Sequence, residues 1–206
     1  ADAEIAARVD SAAVIGAAQD TDKAYQAGVT IGAKLSELGF NLDFAPVADL
    51  ANVPDSIMAD RSYGADAQLA GAMAVSVAAG LKEQGIVSCM KHFPGIGSTV
   101  QDPHTGLAST ERTEEQFRNE EFIAFKAGID AGIPMIMVGH ISAPNLTGDN
   151  EPCTFSEKVV TDILRGELGF EGVIITDALN MSAVSEYHTS EEAAILALKA
   201  GCDMLL

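Results

Sequence analysis

The stretch GIVSCMKHFPGIGSTVQDPH, residues 85–104, decides the fold that this sequence predicts. It begins with a glycine and the apolar run Ile86–Met90, and Lys91 and His92 come directly after that run. An apolar run without regular polar alternation is typical of a parallel strand that is buried on both faces. The remainder is polar and is interrupted by two prolines and two glycines. It therefore predicts a functional loop at the end of a buried strand.

A glycine followed by an apolar run recurs along the chain and marks five predicted βα units. Each of these glycines ends an alanine-rich or amphipathic segment, at the position where a left-handed residue commonly ends a helix. The glycines and their predicted strands are Gly39 with 40–48, Gly85 with 86–90, Gly132 with 133–139, Gly169 with 170–176 and Gly201 with 202–206. The predicted helices cover residues 24–38, 67–84, 113–128, 156–168 and 190–200. Capping-box spacing is present twice, in Thr113 with Gln116 and in Thr189 with Glu192.

The alternation of strands and helices predicts an α/β fold with a parallel sheet and right-handed crossovers. A doubly wound sheet and a (β/α)8 barrel both satisfy this pattern. Residues 95–99, GIGST, lack the GxGxxG spacing of a dinucleotide site, which favours the barrel. Five βα units are visible, whereas a complete barrel needs about 250 residues. We therefore expect an incomplete TIM-type (β/α)8 barrel whose first and last strands are absent from residues 1–206. These residues would form a single catalytic domain of a longer chain.

Composition excludes several classes of partner. The formal net charge of −18, from 30 acidic and 12 basic residues, argues against nucleic acid and anionic membranes as partners. No apolar run approaches the roughly 20 residues that a membrane-spanning helix needs, so we expect no membrane insertion. The three cysteines, Cys89, Cys153 and Cys202, are widely spaced and odd in number, which fits neither a disulfide framework nor a zinc knuckle.

Ionisable residues follow four of the five predicted strands. An unpaired charge beside a buried strand costs several kcal/mol, and the carboxyl ends of barrel strands meet on one face. The set therefore predicts a polar pocket at that face. Its members are Asp49 after the first strand, Lys91 and His92 after the second, His140 after the third and Asp177 after the fourth.

A nucleophile and a separate proton carrier can be assigned within this set and the adjoining loop. Asp177 is presented by a rigid strand end and is the better candidate nucleophile. Asp102 and His104, two residues apart on the loop, are the candidate proton carrier. A carboxylate beside an imidazole fixes its tautomer and makes it a competent acid and base near neutral pH.

Several stretches of the chain resemble the catalytic barrel of the family 3 glycoside hydrolases, in their β-N-acetylhexosaminidase branch. The resemblance implies a retaining hydrolase with a strand-end aspartate as nucleophile, which Asp177 matches. It also implies an Asp–x–His dyad as acid and base, which Asp102 and His104 match. The stretches lie in the family's order at residues 39–50, 60–66, 91–104, 133–152 and 164–184.

The resemblance also implies which residues bind the substrate. The family's roles fall here on Asp49, Arg61, Lys91 and His92, and we add His140 and Met181 as candidates. Carboxylate and cationic groups of this kind can hold sugar hydroxyls in one orientation. The family further implies a non-prolyl cis peptide near the lysine–histidine pair.

The chain departs from the family pattern at two positions of the loop. The usual KHFPGHGDT reads KHFPGIGST, with Ile96 and Ser98 in place of a histidine and an aspartate. These replacements remove two polar groups from the base of the loop. The missing outer strands would also leave open sheet edges, and such edges predict self-association.

The resulting prediction is an enzyme that removes terminal β-linked N-acetylglucosamine through a covalent glycosyl-enzyme, without a metal or an organic cofactor. A muropeptide fragment or another terminal N-acetylglucosaminide is the expected carbohydrate substrate. Two compartments stay open: a bacterial cytoplasm, and secretion or the cell envelope of a Gram-positive bacterium.

Three other functions are kept as alternatives. One is an inactive or truncated sugar-binding or structural domain of the same family, and another is a β-glucosidase or β-xylosidase. The third is a metal-dependent hydrolase built on His92, His104, His140 and Asp177. Metal-dependence is disfavoured because the chain has no HxH pair on a strand and no HExxH helix.

Overall fold

Parallel strands wound in chain order form the main sheet of the computed structural model, which describes residues 9–101 and 106–206. The six described strands are β1 Leu42–Asp43, β2 Val87–Phe93, β3 Ala108–Ser109, β4 Met135–Val138, β5 Ile141–Ser142 and β6 Val173–Thr176. The main sheet has the order β1-β2-β4-β6, and all of its pairs are parallel. A doubly wound sheet reverses its order at a switch point, whereas a barrel keeps one direction. The observed order is that of a barrel.

The fifth predicted strand, residues 202–206, continues this winding through a single parallel bridge. Met204 pairs with Ile175 of β6, and the amide of Leu206 donates a 3.0 Å hydrogen bond to Oγ1 of Thr176. The sheet thus extends beyond β6 in the predicted direction. Among the described residues it does not close on itself.

A second, two-stranded sheet was not predicted. It joins β3 to β5 in parallel, with Ala108 opposite Ile141 and Ser109 opposite Ser142. Strands of two residues show no periodicity, so their position depends on contacts distant in the sequence. This small sheet ties the loop after β2 to the loop after β4.

The five predicted helical segments are all present, with two changes of form. The segment at 113–128 is divided at Glu120 into two helices, and the segment at 156–168 is π-helical over Lys158–Glu167. Three further short helices were not predicted. The α-helices are α1 Ala12–Ala17, α2 Thr21–Glu37, α3 Ala67–Glu83, α4 Glu114–Asn119, α5 Glu121–Asp130, α6 Pro144–Thr147, α7 Ser182–Ser185 and α8 Ser190–Ala200. A 3-10 turn covers Cys153–Phe155.

The predicted capping boxes and helix-ending glycines are confirmed. The Thr113 and Thr189 hydroxyls accept from the amides of Gln116 and Glu192, and the reciprocal bonds complete both capping boxes. The five glycines that precede the apolar runs all have positive φ angles, as helix-ending residues do. They are Gly39 at 86°, Gly85 at 75°, Gly132 at 76°, Gly169 at 71° and Gly201 at 110°.

The two faces of the main sheet carry different cores. Helices α3 and α5 pack against β2 on the outer face, where Met90, Phe93 and Ile136 are buried, and α2 packs on α3. The inner face carries a smaller apolar cluster formed by Cys89, Met135, Met137 and Ile175, with Leu42, Phe44 and Val173 partly buried beside it. This inner cluster occupies the position of a barrel interior. Within the described part of the chain, no helix has the length and apolar character that crossing a membrane requires.

Candidate active site

Asp177 stands at the carboxyl end of β6 and points to the inner face. It follows Ile175 by two residues, and side chains two apart along a strand share a face. Its amide donates to the Val138 carbonyl at 2.9 Å, which continues the pairing with β4. Its Oδ1 accepts from the Ala178 amide at 2.8 Å, and the side chain is 20% exposed. The carboxylate is therefore restrained by a hydrogen bond but remains accessible.

A bulge in β2 brings Lys91 and His92 to the same site. Lys91 is opposite Met137 and Phe93 is opposite Val138, so two steps on β2 match one step on β4. The extra residue turns Phe93 outward, where its ring stacks on Phe122 with centroids 5.4 Å apart. A bulge of this kind re-aims neighbouring side chains. The Lys91–His92 peptide is cis, as the resemblance implied.

Asp49 fixes the position of His92 from behind. Its Oδ2 lies 2.7 Å from Nδ1 of His92 and accepts the His92 amide at 3.1 Å. Its Oδ1 accepts the Ile96 amide at 2.8 Å. The carboxylate is buried, so it selects the His92 tautomer that carries its proton on Nδ1. Nε2 of His92 then faces Oδ2 of Asp177 at 3.9 Å.

Burial and nearby charges of both signs act on the pKa of Lys91. Burial lowers the pKa of Lys91, the Arg61 charge lowers it further, and the Asp177 carboxylate opposes both effects. Burial raises the pKa of Asp43, with Lys91 acting against it, and raises that of Cys89 to about 12. Cys89 is thus an inert thiol below the site. Arg61 itself is exposed, in the turns between β1 and α3.

His140 supports the chain that follows Asp177. Its Nδ1 lies 2.9 Å from the hydroxyl of Thr154, and its Nε2 lies 3.1 Å from the Ala178 carbonyl. Burial lowers the pKa of His140, which keeps the ring neutral near neutral pH, with its proton on Nε2 for the Ala178 carbonyl. Met181 is 8% exposed, and its amide donates to the same carbonyl.

The catalytic dyad proposed from the sequence, Asp102 and His104, lies outside the described residues. The residues that flank it are described, and they include both departures from the family pattern. Ile96 is buried in the outer core, and Oγ of Ser98 lies 3.0 Å from Oγ1 of Thr110. The Ser98–Thr110 contact links the two ends of the loop. The two replacements therefore have defined packing and hydrogen-bonding roles.

The structure brings Lys91, His92 and Asp177 together and places Asp49 and His140 behind them. Sugar binding by Asp49, Arg61, Lys91, His92, His140 and Met181 stays a prediction. For Asp49 and His140 the polar atoms are already engaged by the chain, which favours a positioning role for both. Among residues 9–101 and 106–206 there is no group of three or more His, Cys, Asp or Glu side chains that could hold a metal ion.

Sequence reasoning missed the residues that support the site from a distance. Thr154 orients His140, and the buried Glu121 lies beneath the loop after β2 with the partly buried Asn52 and Arg112. Glu121 Oε1 lies 2.9 Å from Nε of Arg112 and 3.0 Å from Nδ2 of Asn52. Burial raises the pKa of Glu121 to about 6, with Arg112 acting against it. No local pattern could have identified these residues, because their partners are far away in the sequence.

Comparisons with known proteins show which family the chain is similar to. Residues 4–206 match the family model described as the glycosyl hydrolase family 3 N terminal domain. A beta-hexosaminidase from Chromobacterium violaceum is 36% identical over 199 residues, which cover 94% of this chain and 55% of that protein. The chain spans about half the length of the curated relatives it matches.

Solved structures show the same fold. A glycoside hydrolase family 3 beta-N-acetylglucosaminidase from Paenibacillus sp. has a TM-score of 0.90 and 36% identity, over 93% of this chain and 36% of that chain. The beta-glucoside phosphorylase BglX has a TM-score of 0.91 and 28% identity, over 96% of this chain and 37% of that chain. These similarities confirm the α/β barrel fold predicted from the sequence.

Proposed function

This chain belongs to glycosyl hydrolase family 3, and from that premise we propose that it is the catalytic domain of an enzyme that removes terminal β-linked N-acetylglucosamine. The observation that carries the proposal is the carboxylate of Asp177 at a strand end, 3.9 Å from Nε2 of His92 and within the electrostatic field of Lys91. Relatives named beta-hexosaminidase and beta-N-acetylglucosaminidase support the amino-sugar substrate.

In the first step of the proposed reaction, the Asp177 carboxylate attacks the anomeric carbon. The glycosidic C–O bond breaks as His104, oriented by Asp102, donates a proton to the leaving oxygen. A covalent glycosyl-enzyme ester forms on Asp177. In the second step His104 takes a proton from water, the water attacks the anomeric carbon, and the sugar leaves with its configuration retained. The Ala178 amide donates a hydrogen bond to Oδ1 of Asp177 and so restrains the carboxylate.

The proposed binding residues surround the nucleophile. Lys91 and Arg61 would donate hydrogen bonds to sugar hydroxyls, and Nε2 of His92 would accept one. Because the buried Asp49 carboxylate orients His92, the ring enters the reaction already positioned. Binding residues that are already oriented lose less entropy when the reactive geometry forms.

Two alternative functions remain, and the hydrolysis test described below distinguishes them from the proposed one. The similarity to BglX, a beta-glucoside phosphorylase, favours a glucoside substrate, whereas the Asp102–His104 dyad favours the amino-sugar branch. An inactive sugar-binding domain is the other alternative, motivated by the replacements at Ile96 and Ser98. Retention of Asp102, His104 and Asp177 argues against it.

The test measures hydrolysis of N-acetylglucosaminides with a good leaving group (2,4-dinitrophenyl) and a poor one (methyl). We expect Asp177→Ala to lower kcat about a thousandfold or more on both, because the nucleophile is lost. We expect His104→Ala to lower kcat/KM, which reports the first step, about a hundredfold on the methyl glycoside and far less on the dinitrophenyl glycoside, whose leaving group needs no proton.

The matched control is Asp162→Ala, an exposed aspartate on the π-helical segment, which should leave both rates unchanged. Full activity in Asp177→Ala would refute the nucleophile, and equal losses of kcat/KM in His104→Ala on both substrates would refute the proton donor. Faster hydrolysis of the matching glucosides by the unaltered protein would favour the glucosidase alternative. Binding without hydrolysis of any of these glycosides would favour the inactive domain.

A further inference from the structure

The loops that follow β1 and β2 pack directly against each other around Asp49. Oδ1 of Asp49 accepts the amide of Ile96 at 2.8 Å, and the hydroxyl of Ser56 donates to the Gly97 carbonyl at 2.7 Å. A Cβ added to Gly97 would lie well inside contact distance of the Leu50 carbonyl oxygen, so the two backbones are in contact. The relative position of the two loops therefore decides how the Asp49 carboxylate is held.

Glu121, the first residue of α5, contacts both loops from the outer core. Its side chain is 1% exposed, and its Oε1 accepts a hydrogen bond at 3.0 Å from Nδ2 of Asn52, three residues after Asp49. On the other loop, Gly95 has a φ angle of 126°, and a Cβ added there would lie 2.5 Å from Cγ of Glu121. The backbone of Gly95 thus rests on the Glu121 side chain, directly before Ile96.

Two charged groups face Glu121. Nε of Arg112, which follows β3, lies 2.9 Å from Oε1 of Glu121. Nη2 of Arg112 lies 2.5 Å from Oε2 of Glu120, and the same oxygen accepts from Nδ2 of Asn52 at 3.0 Å. Arg112 therefore keeps an acidic partner, Glu120, when the charge of Glu121 is removed.

The cluster around Glu121 is poorly suited to stabilising the fold. Oε2 of Glu121 and Oδ1 of Asn52 have no hydrogen-bond partner among the described residues. Burial raises the pKa of Glu121 to about 6, with Arg112 acting against burial and Glu120 acting with it. A carboxyl group whose pKa is raised by folding binds its proton more tightly in the folded state, so stability falls as the proton is lost. Ionised Glu121 therefore costs stability at neutral pH, which favours a role other than holding the fold together.

We propose that Glu121 is a positioning residue that orients His92 through Asp49. Its ionised side chain holds Asn52 and Gly95, and these two residues adjoin the two sides of the contact between the loops. A charge-assisted hydrogen bond is about twice as strong as a neutral one, so protonation of Glu121 loosens its hold on Asn52. The inference rests on the proposed function, because the reaction that Glu121 serves is the one proposed above.

The first experiment is Glu121→Gln in the full-length natural protein, which keeps the shape of the side chain and removes its charge. At pH 7.5 we expect kcat on the dinitrophenyl N-acetylglucosaminide to fall about tenfold with KM changed less than about twofold, since His92 loses its fixed orientation. The midpoint of urea unfolding should stay the same or rise, because Arg112 keeps Glu120 and the cost of the buried charge is gone. A loss of kcat without a loss of stability separates positioning from a structural role.

The same comparison at lower pH tests the charge itself. The ratio of kcat between the unaltered protein and Glu121→Gln should fall toward one below about pH 5, because Glu121, with its pKa of about 6, is then protonated in the unaltered protein as well. The ratio cancels every titration that the two proteins share. Glu115→Gln makes the same change at an exposed position on α4 and should leave kcat equal to that of the unaltered protein at every pH.

A double-mutant cycle tests whether Glu121 acts through Asp49. If it does, Glu121→Gln should lower kcat less than about twofold in a protein that already carries Asp49→Asn, since the contact between the loops is then already weakened. Effects of the two changes that multiply would show independent roles and overturn the inference. Asn52→Ala removes the link to the loop after β1 without removing a charge, and it should lower kcat several-fold in the natural background.

A measurement without substrate tests the positioning directly. The Nδ1 proton of His92, held by Asp49, can be followed by NMR in protein that contains histidine labelled with nitrogen-15. Its exchange with water should be about tenfold faster in Glu121→Gln than in the unaltered protein at pH 7.5, and equal below about pH 5. Full kcat in Glu121→Gln or Asn52→Ala, or a kcat ratio that does not change with pH, overturns the inference while hydrolysis by the unaltered protein upholds the proposed function. No hydrolysis by the unaltered protein overturns the proposed function, and the proton exchange then decides the inference, which unchanged exchange overturns as well.

Discussion

At the residue scale, Asp49 organises the site without facing the substrate. One buried carboxylate accepts three N–H groups, two from His92 and one from Ile96, and so joins the end of β2 to the start of the following loop. Charge-assisted hydrogen bonds of this kind are about twice as strong as neutral ones. The residue that determines where His92 points is therefore 43 positions away from it in the sequence.

We expect Asp49→Asn to lower both stability and turnover. In either orientation the amide group of asparagine faces an N–H donor, which leaves a buried donor unsatisfied at a cost of about 1–3 kcal/mol. The free energy of unfolding should fall by that amount in urea titrations. We also expect kcat for the folded variant to fall about tenfold or more with KM nearly constant, since His92 loses its fixed orientation.

The control is Asp162→Asn, which makes the same chemical change at an exposed position. A variant of Asp49 that unfolds more easily but keeps its kcat would show that the carboxylate has only a structural role. Unchanged stability would contradict the hydrogen bonding itself.

At the element scale, helices α2 and α3 approach each other through glycine. A Cβ added to Gly28 would lie well inside contact distance of the Val77 carbonyl oxygen, and one added to Gly80 would do the same at the Tyr25 carbonyl. Both obstacles are backbone atoms, so no side-chain rotation can relieve them. Because α3 packs on β2, the spacing of the two helices bears on the strand that carries Lys91 and His92.

We expect Gly28→Ala to lower the free energy of unfolding by about 2–3 kcal/mol, because the two helices must move apart. Urea or thermal unfolding measures the change. Gly166→Ala is the matched control: it places the same substitution in the π-helical segment, where the nearest atom is 3.4 Å from the added Cβ. It should be neutral or slightly stabilising. Equal effects at the two positions would argue against the close helix contact.

At the scale of the whole molecule, the sheet is covered on one face and only partly covered on the other. Helices bury the outer face, whereas Leu42, Phe44 and Val173 of the inner face are partly buried. Among the described residues β1 is hydrogen-bonded to β2 on one side only. An apolar face beside a strand edge is a surface on which another chain can pair.

We propose that the 206-residue chain by itself associates through this inner face and edge. Sedimentation equilibrium at 0.15 M salt, where its charge of −18 is screened, should give a mass above that of the monomer at tens of micromolar. Phe44→Lys should shift the chain toward monomer, because a lysine would have to be buried at the contact. Leu198→Lys, an exposed position on α8, should have no effect. A monomer at every concentration would exclude this association.

Much of the fold could be predicted because it depends on contacts within a few residues. The five positive-φ glycines, the two capping boxes and the apolar runs are each recognisable in one stretch of chain. The same holds for the order of the sheet, since short βα connections place consecutive strands side by side. The small β3–β5 sheet and the break at Glu120 could not be predicted, because their causes lie in other parts of the chain.

The sequence by itself determined the barrel-type winding and the strand ends at which Lys91, His92, His140 and Asp177 stand. Only the tertiary structure decided what each of them faces. The bulge of β2 against β4, the carboxylate of Asp49 behind the His92 ring and the Ser98–Thr110 link all depend on contacts between residues that are not neighbours in the sequence. The periodicity of a sequence shows which face of a helix or strand is buried. The residues that pack against that face come from other elements, and local sequence does not identify them.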